Sequence, residues 1–252
     1  MSTQLDARPE ELAEAIVEMT YREAICAALG DELESDPATL LMGEDVATAG
    51  GVFKTNEGLS ERFGGERVRN TPICENGFLG VALGMAVTGL RPIVEIMFSD
   101  FLPTAGDVIV NELPKFRFMC GGQCEVPVTI RSICGATGRF GTQHSATGES
   151  WYMGLPGLKV ATAGTPASAY GVLRAAVRSN DPVLFFEHRS LYGRKGPVAR
   201  GDHGITTPGS AAVLRSGSDI TIVATLLALD RALAAAEQLA EEGIEAEVIE
   251  LQ

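Results

Sequence analysis

Short apolar runs alternate with segments of helical periodicity along most of the chain. One helix is predicted where apolar residues recur three and four positions apart: Ala24, Ile25, Ala28, Leu29 and Leu33. Thr20 followed by Glu23 predicts a capping box at the start of this helix. The first ordered helix is therefore expected to begin just after Thr20.

The same alternation continues downstream. Buried strands are predicted at TLLMGED, RVRNTPI, RPIVEIMF, VPVTIRS, LKVAT and VLFFEH. Helices are predicted at GFLGVALGMAV, over about Ala105 to Met119, and at ASAYGVLRAAVRS. Short apolar strands that alternate with helices predict an α/β fold, with a mostly parallel sheet covered on both faces.

A second unit is predicted after a segment rich in glycine and charge. Residues 193–210 are interpreted as a linker, after which ITIVAT and EAEVIEL read as strands around a helix from Ala228 to Gly243. The predicted organisation is an N-terminal extension over 1–18, a first domain over 19–192 and a second domain over 211–252. One strand-helix-strand unit has few neighbours for its apolar faces, so this second domain is expected to be truncated.

Charge and cysteine usage narrow the class of protein. The 252 residues hold 20 Lys and Arg against 33 Asp and Glu, a formal charge of −13, which disfavours nucleic acid and anionic membranes as partners. The acidic N-terminus lacks the features of a secretory signal, which favours a cytosolic location. Five cysteines predict reduced thiols; Cys120 and Cys124 leave a metal or redox pair open as the weaker alternative.

Few residues carry an evident chemistry. The sequence contains no P-loop, dinucleotide fingerprint, HExxH or GxSxG motif. Glu75 directly precedes a helix that contains Gly77, Gly80 and Gly84. Glu75 is either a carboxylate placed favourably at a helix N-terminus or a functional acid at the ligand-binding edge of a parallel sheet. Three helical glycines predict that another group packs very close to this helix.

Five segments in order carry a family resemblance: TPICENGF, GLRPIVE, GTQHS, PGLKV and FFEHRSLY. They resemble the first domain of the beta subunits of pyruvate, branched-chain 2-oxo acid and acetoin dehydrogenase decarboxylases. The resemblance covers about Tyr21 to Tyr192, and the start of a transketolase-type C-terminal domain continues to Gln252. It implies a transketolase-like pyrimidine-binding fold and thiamine diphosphate as the cofactor.

The resemblance also implies roles for four residues. Glu75 matches the acid that hydrogen-bonds a ring nitrogen of the aminopyrimidine, which lets the exocyclic nitrogen take the thiazolium C2 proton. Phe101 matches the ring that packs against the aminopyrimidine, with Ile73 near the same ring. His144 matches the histidine that assists protonation and acyl transfer to lipoamide. Ala146 stands where many relatives have Gln, so any contact of that Gln is in doubt.

Other positions are assigned more weakly. Phe98 is the alternative to Phe101 for the stacking role. Without the resemblance, Ile73 would be interpreted as an ordinary core residue. His188 is interpreted as structural and His203 as solvated. Some relatives bind potassium through backbone carbonyls at positions that match Val128, Ala176, Val177, Ser179 and Asp181.

Partners follow from the resemblance as well. The magnesium and diphosphate site of the family belongs to an alpha subunit, which implies an alpha2-beta2 assembly and a lipoyl acyltransferase core as the further partner. The implied activity is oxidative decarboxylation of a 2-oxo acid with acyl transfer to lipoamide. Acetoin cleavage and a non-catalytic structural paralogue are the alternatives, and the identity of the substrate stays open.

Overall fold

The computed structural model describes residues 16–136, 138 and 140–252. Its centre is a six-stranded sheet formed by β2 (Thr39–Gly43), β3 (Val68–Asn70), β4 (Arg91–Ile96), β5 (Thr129–Cys134), β6 (Lys159–Thr162) and β7 (Val183–His188). All neighbours are parallel, in the order β3-β2-β4-β5-β7-β6. The predicted α/β fold with a parallel sheet is therefore confirmed.

Helices cover both faces of this sheet. They are α1 (Tyr21–Ser35), α2 (Leu59–Phe63), α3 (Glu75–Val87), α4 (Leu113–Met119), α5 (Glu149–Tyr152) and α6 (Pro166–Val177). Alternate strand residues point to opposite sides, so Ile93 and Phe185 pack with α1 and α6, whereas Val94 and Phe186 pack with α3. Burial on both faces explains why the strands are continuous apolar runs.

The predicted start of the first helix is confirmed. Thr20 caps α1: its hydroxyl accepts a hydrogen bond from the Glu23 amide at 3.2 Å, and Glu23 Oε2 accepts one from the Thr20 amide at 2.7 Å. This reciprocal pair satisfies two amides that the helix itself leaves without partners. Immediately before it, β1 (Ile16–Thr20) was not predicted.

Two predicted elements differ in length, and proline explains both differences. The strand predicted at RVRNTPI pairs only as far as Asn70, because Pro72 has no amide to donate to the ladder. The helix predicted from about Ala105 to Met119 is regular only over α4; a π-helical turn at Val108–Glu112 precedes Pro114. The proline ring excludes the usual hydrogen bond to the carbonyl four residues earlier, so the chain widens there.

The segment predicted as a linker contains ordered structure. Strand β8 (Lys195–Ala199) lies within it and pairs antiparallel with β1. The carbonyl of Gly201 accepts a hydrogen bond from Arg174 Nη1 at 2.7 Å. Residues 193–210 are therefore attached to the first domain over much of their length. Residues 1–15 of the predicted N-terminal extension lie outside the described residues.

The C-terminal unit has three strands and one helix. Strands β9 (Ala211–Arg215), β10 (Ile220–Ala224) and β11 (Ala246–Leu251) are ordered β10-β11-β9, and α7 (Leu226–Glu241) packs on β11. Glu250 of β11 joins this unit to the first domain, since its Oε1 accepts from the Gly164 amide at 2.6 Å and from Ser168 Oγ at 2.7 Å. Within the described residues, no helix has both the length and the apolar character needed to span a bilayer.

Candidate functional site

Glu75 is the first residue of α3, and four residues, Thr71 to Cys74, separate it from the end of β3 at Asn70. Its side chain is half-buried, and the preceding Cys74 does not cap the helix. Burial, and then repulsion by the nearby Glu75 carboxylate, raise the pKa of Glu44. Two carboxyl groups therefore lie close together at the amino end of α3, where the helix dipole favours negative charge.

The surface beside Glu75 is apolar and open. Ile73 is 82% exposed, so the interpretation of this residue as ordinary core is wrong. Within the described chain, a side chain at Gly80 or Gly84 would meet no atom within 4 Å, so the close packing expected at these glycines stays a prediction. Gly77 alone has a close neighbour, the sulfur of Cys74. An exposed isoleucine next to a bare helix face indicates a surface suited to a further molecule.

Phe101 and His144 lie in contact. The His144 ring meets Phe101 edge to face at 5.4 Å between centroids, and it meets Phe98 in the same manner at 4.7 Å. Phe98 is only 9% exposed, whereas Phe101 is half-buried. Phe101 is therefore the more accessible of the two candidate stacking rings, while Phe98 forms the support beneath the histidine.

Backbone hydrogen bonds attach the histidine loop to the segment that carries Phe101. The Ala146 carbonyl accepts from the Gly135 amide at 2.7 Å and from Ser99 Oγ at 3.0 Å. The Ala146 amide donates to the Asp100 carboxylate at 3.2 Å. Residues Ser99–Ala105 also pack against α3, the helix that begins at Glu75. The fold thus brings Glu75, Phe101 and His144 to one edge of the sheet.

A buried ionic cluster beneath this edge was not predicted. Arg131 of β5 contacts the Glu95 carboxylate at 2.9 Å and the Glu187 carboxylate at 2.7 Å. Asn56 Nδ2 donates to Glu95 at 2.8 Å, and the Tyr192 hydroxyl donates to Glu187 at 2.8 Å. The available signal was a charged residue inside each of three apolar strand runs: Arg131 in VPVTIRS, Glu95 in RPIVEIMF and Glu187 in VLFFEH.

The cluster holds two acidic groups and one guanidinium. Burial raises the pKa of Glu187 despite the nearby Arg131, and the Glu95 carboxylate raises it further. Burial acts to lower the pKa of Arg131, but the Glu187 and Glu95 carboxylates outweigh it and raise that pKa. Arg131 therefore stays charged, and both carboxylates depend on it for compensation.

A second unpredicted feature is an aromatic group around Arg189. The Arg189 guanidinium lies over the Phe140 ring at 4.3 Å and over the Phe53 ring at 5.1 Å. Phe53 in turn meets Phe98 edge to face at 5.4 Å. The sequence offered no periodic signal for this group, because its members come from three separate loops and one strand end.

The other histidines agree with their interpretation. His188 is 6% exposed, and its Nδ1 accepts a hydrogen bond from the Ser190 amide at 3.3 Å. A side chain at Gly135 would collide with the His188 ring. Burial lowers the pKa of His188. His203 is exposed, as predicted.

The five cysteines carry free thiols. Cys134 is buried and donates to Glu149 Oε1 at 3.1 Å, and burial raises the pKa of its thiol. Cys120 and Cys124 are half-buried, on either side of a turn closed by a hydrogen bond from the Gln123 amide to the Cys120 carbonyl. Cys134 is thus a packing residue of the kind predicted.

The carbonyl groups that the resemblance assigns to potassium are those of Val128, Ala176, Val177, Ser179 and Asp181. Each accepts a hydrogen bond from the chain itself. Arg91 Nη1 donates to the carbonyls of Val177 and Ser179 at 2.9 and 2.8 Å. A potassium ion here would share those two oxygens with a guanidinium, whose charge opposes a second cation.

Two family models match the chain. The model for the transketolase pyrimidine-binding domain matches residues 17–195, and the model for the transketolase C-terminal domain matches residues 209–252. Among solved structures, the chain is similar to a split-gene transketolase described as an inactive beta4 tetramer. The TM-score is 0.74 at 26% sequence identity, covering 92% of this chain and 71% of that one.

Curated relatives are similar over most of this chain. The pyruvate dehydrogenase E1 component subunit beta-1, mitochondrial, of Arabidopsis thaliana is 43% identical over 93% of this chain and 66% of its own length. The 2-oxoisovalerate dehydrogenase subunit beta of Bacillus subtilis is 41% identical over 93% and 72%. The acetoin:2,6-dichlorophenolindophenol oxidoreductase subunit beta of the same organism is 42% identical over 92% and 71%.

The chain spans about two thirds of the length of these relatives. Its parallel sheet, its match to both transketolase models and its identity to three kinds of dehydrogenase subunit agree with one another. The chain therefore belongs to the transketolase-like family that includes the beta subunits of pyruvate, acetoin and 2-oxoisovalerate dehydrogenases.

Proposed function

We propose that this chain is the beta subunit of a thiamine-diphosphate-dependent 2-oxo acid dehydrogenase, which oxidatively decarboxylates a 2-oxo acid and transfers the acyl group to lipoamide. The observation that carries the proposal is the position of Glu75, half-buried at the amino end of α3 beside the exposed Ile73. An acid at the ligand-binding edge of a parallel sheet suits a heterocycle that arrives from outside the chain.

The residues present fit the pyrimidine half of this cofactor. A bound aminopyrimidine needs a carboxyl group for a ring nitrogen and apolar surfaces for its faces, which Glu75, Ile73 and Phe101 supply. When bound, thiamine diphosphate supplies a nucleophilic carbon and a sink for the electrons released on decarboxylation. Glu75 would hold a proton at the ring nitrogen, and Ile73 and Phe101 would keep water from that hydrogen bond.

His144 is the proposed second catalytic residue. Its ring is held edge-on by Phe98 and Phe101, yet the side chain keeps partial exposure to the site. An imidazole has one nitrogen that can donate a proton and one that can accept a proton, which suits acid–base steps during acyl transfer. Its contact with Phe101 couples the proposed proton donor to the ring proposed to stack on the pyrimidine.

The proposed site is divided between two subunits. The open helix face at Gly80 and Gly84 and the exposed Val81 support an alpha-type partner against α3, which would bring the magnesium and the diphosphate site. The similar split-gene transketolase is described as inactive in its beta4 form. We expect an alpha2-beta2 assembly that serves a lipoyl acyltransferase core, and tight cofactor binding only when both subunits are present.

Acetoin is the second candidate substrate. Acetoin oxidoreductase beta subunits are as similar to this chain as the pyruvate and 2-oxoisovalerate enzymes, at 41–42% identity. Assays of the assembled enzyme with pyruvate, branched-chain 2-oxo acids and acetoin would separate these substrates. No turnover of any of them would favour the remaining alternative, a structural paralogue. A cytosolic location and potassium binding stay predictions; several relatives are named as mitochondrial.

The decisive experiment is Glu75→Gln, made in the chain co-expressed with an alpha-type subunit. Gln keeps the shape but cannot share a proton with the pyrimidine, so decarboxylation should fall by about 10²–10⁴-fold. Size-exclusion chromatography should show an unchanged assembly. Glu61→Gln on α2, an exposed position, is the matched control and should retain full activity. Full activity of Glu75→Gln would refute the proposed role.

A further inference from the structure

We infer that Arg189 is a positioning residue that holds the His144 loop against the site. The inference has two parts: a structural clamp, which stands on contacts within the chain, and a catalytic consequence, which rests on the proposed function. Arg189 follows directly after β7, at the same edge of the sheet as Phe101 and His144. Its guanidinium packs on the rings of Phe53 and Phe140, so we expect its effect on the site to be transmitted through these residues.

The guanidinium of Arg189 is bracketed by two aromatic rings. Its central carbon lies 4.3 Å from the Phe140 ring centroid and 5.1 Å from that of Phe53. Phe140 belongs to the histidine loop and is 44% exposed, whereas Phe53 is half-buried and lies in the loop after β2. A flat cation attracts the negative faces of two rings at once, so Arg189 links a loop to a fixed wall.

The rings of Phe53 and Phe140 both contact Phe98, which in turn contacts His144. Phe53 meets Phe98 at 5.4 Å, and Phe140 meets Phe98 at 6.3 Å between ring centroids. Phe98 then meets the His144 ring at 4.7 Å with an interplanar angle of 88°. Release of either ring would therefore loosen the surface on which the imidazole rests, and with it the direction of its nitrogen atoms.

The loop backbone is shaped to fit this clamp. Gly138 has a φ of +62°, and a side chain there would lie 3.1 Å from Arg189 Nη1 and 2.9 Å from the Phe140 ring. Only glycine both adopts this conformation at low cost and leaves room for the guanidinium. The stacked rings and the close approach of Gly138 thus both involve Arg189.

Phe53 is attached to the interior of the sheet through its neighbours. Phe53 also packs against the Tyr192 ring at 6.1 Å. Tyr192 donates to the buried Glu187, and Asn56, three residues after Phe53, donates to the buried Glu95. The Arg189 clamp therefore joins the histidine loop, through Phe53 and its neighbours, to the ionic cluster inside the sheet.

The structural part is tested by hydrogen–deuterium exchange of the peptide spanning residues 138–148 in the assembled enzyme. Arg189→Met keeps an unbranched apolar stem but loses the flat cation, so exchange there should become roughly three- to tenfold faster. Arg189→Lys keeps the charge, so its exchange rate in this peptide should lie between those of the wild type and Arg189→Met. Arg22→Met, at an exposed position on α1, is the control and should leave this peptide unchanged.

A double-variant cycle with Phe140→Leu tests the proposed contact. If Arg189 acts through Phe140, the double variant should exchange about as fast as the more affected single variant. Additive effects would show that the two residues act separately, which would overturn the clamp. Unchanged exchange in Arg189→Met would overturn it directly.

The catalytic part is tested in the same preparations. Arg189→Met should lower kcat for acyl transfer to lipoamide by about tenfold, with KM for the 2-oxo acid little changed, because substrate contacts are retained. An equal loss in Arg22→Met, or an unchanged kcat alongside faster exchange, would overturn this part alone. Inactive wild-type enzyme would instead refute the proposed function, while the exchange measurements would still decide the clamp.

Discussion

Two groups of charged and polar residues lie at the same end of the sheet, and they differ in burial. Around Arg131, every partner is buried: Arg131, Glu95 and Glu187 are 2%, 5% and 1% exposed. Around Glu75, the acid is half-buried and its neighbour Ile73 is exposed. Charges that compensate one another stabilise the architecture, whereas a carboxyl group left at an open surface is available to a ligand.

The largest expected effect on stability comes from Arg131→Met. This change leaves the Glu95 and Glu187 carboxylates buried without a cation, which costs about 3–5 kcal/mol in free energy of unfolding. Urea denaturation of the purified enzyme measures the loss. If Arg131→Met is too unstable to purify, Arg131→Lys provides the test. Recovery of part of the yield in Arg131→Lys, which keeps the positive charge, would support the same conclusion.

The matched control for Arg131 is Arg69→Met. Arg69 forms an ion pair with Glu66 at 2.9 Å, but Glu66 is 95% exposed, so its loss should cost no more than about 1 kcal/mol. Equal losses for Arg69→Met and Arg131→Met would mean that burial does not distinguish the two pairs. The comparison between the interior cluster and the surface would then fail.

A smaller effect on stability depends on pH and comes from His188. Because burial lowers the pKa of His188, the folded chain resists protonation there, while the unfolded chain takes up the proton near 6.5. The contribution of His188 is thus complete above about pH 6.5 and declines as the pH falls toward the folded pKa. Melting temperatures measured from about pH 8 to pH 5.5 should decrease.

His188→Asn isolates this contribution. Asn keeps an acceptor for the Ser190 amide but cannot be protonated, so the decrease in melting temperature on acidification should become shallower. Identical slopes in the variant and the wild type would assign the pH dependence to other groups.

The smallest effect on stability is expected for Ile73→Ser. An 82% exposed side chain stabilises the chain little, so the free energy of unfolding should change by no more than about 0.5 kcal/mol. Affinity of the assembled enzyme for thiamine diphosphate should nevertheless fall, because an apolar wall of the proposed site is removed. Calorimetry measures this affinity. Val213→Ser, an exposed position in β9, should leave it unchanged.

The sequence predicted the main residues of the candidate site but not their exposure. Glu75, Phe101 and His144 were identified from ordered motifs, and the fold places them at one edge. The exposure of Ile73 and the open helix face at Gly80 could not be predicted from the sequence. Apolar residues and glycines occur both in protein cores and at open surfaces, so residue type alone does not distinguish the two. The Arg131 cluster joins three strands that are distant along the chain.

By itself, the sequence determined the parallel α/β architecture and the start of α1, because apolar periodicity and the Thr20–Glu23 pair act over a few neighbouring residues. Tertiary structure alone decided that Arg131 would be enclosed by two carboxylates and Arg189 by two rings. These contacts join residues from separate loops and strands, and their energies depend on burial, which local sequence does not specify.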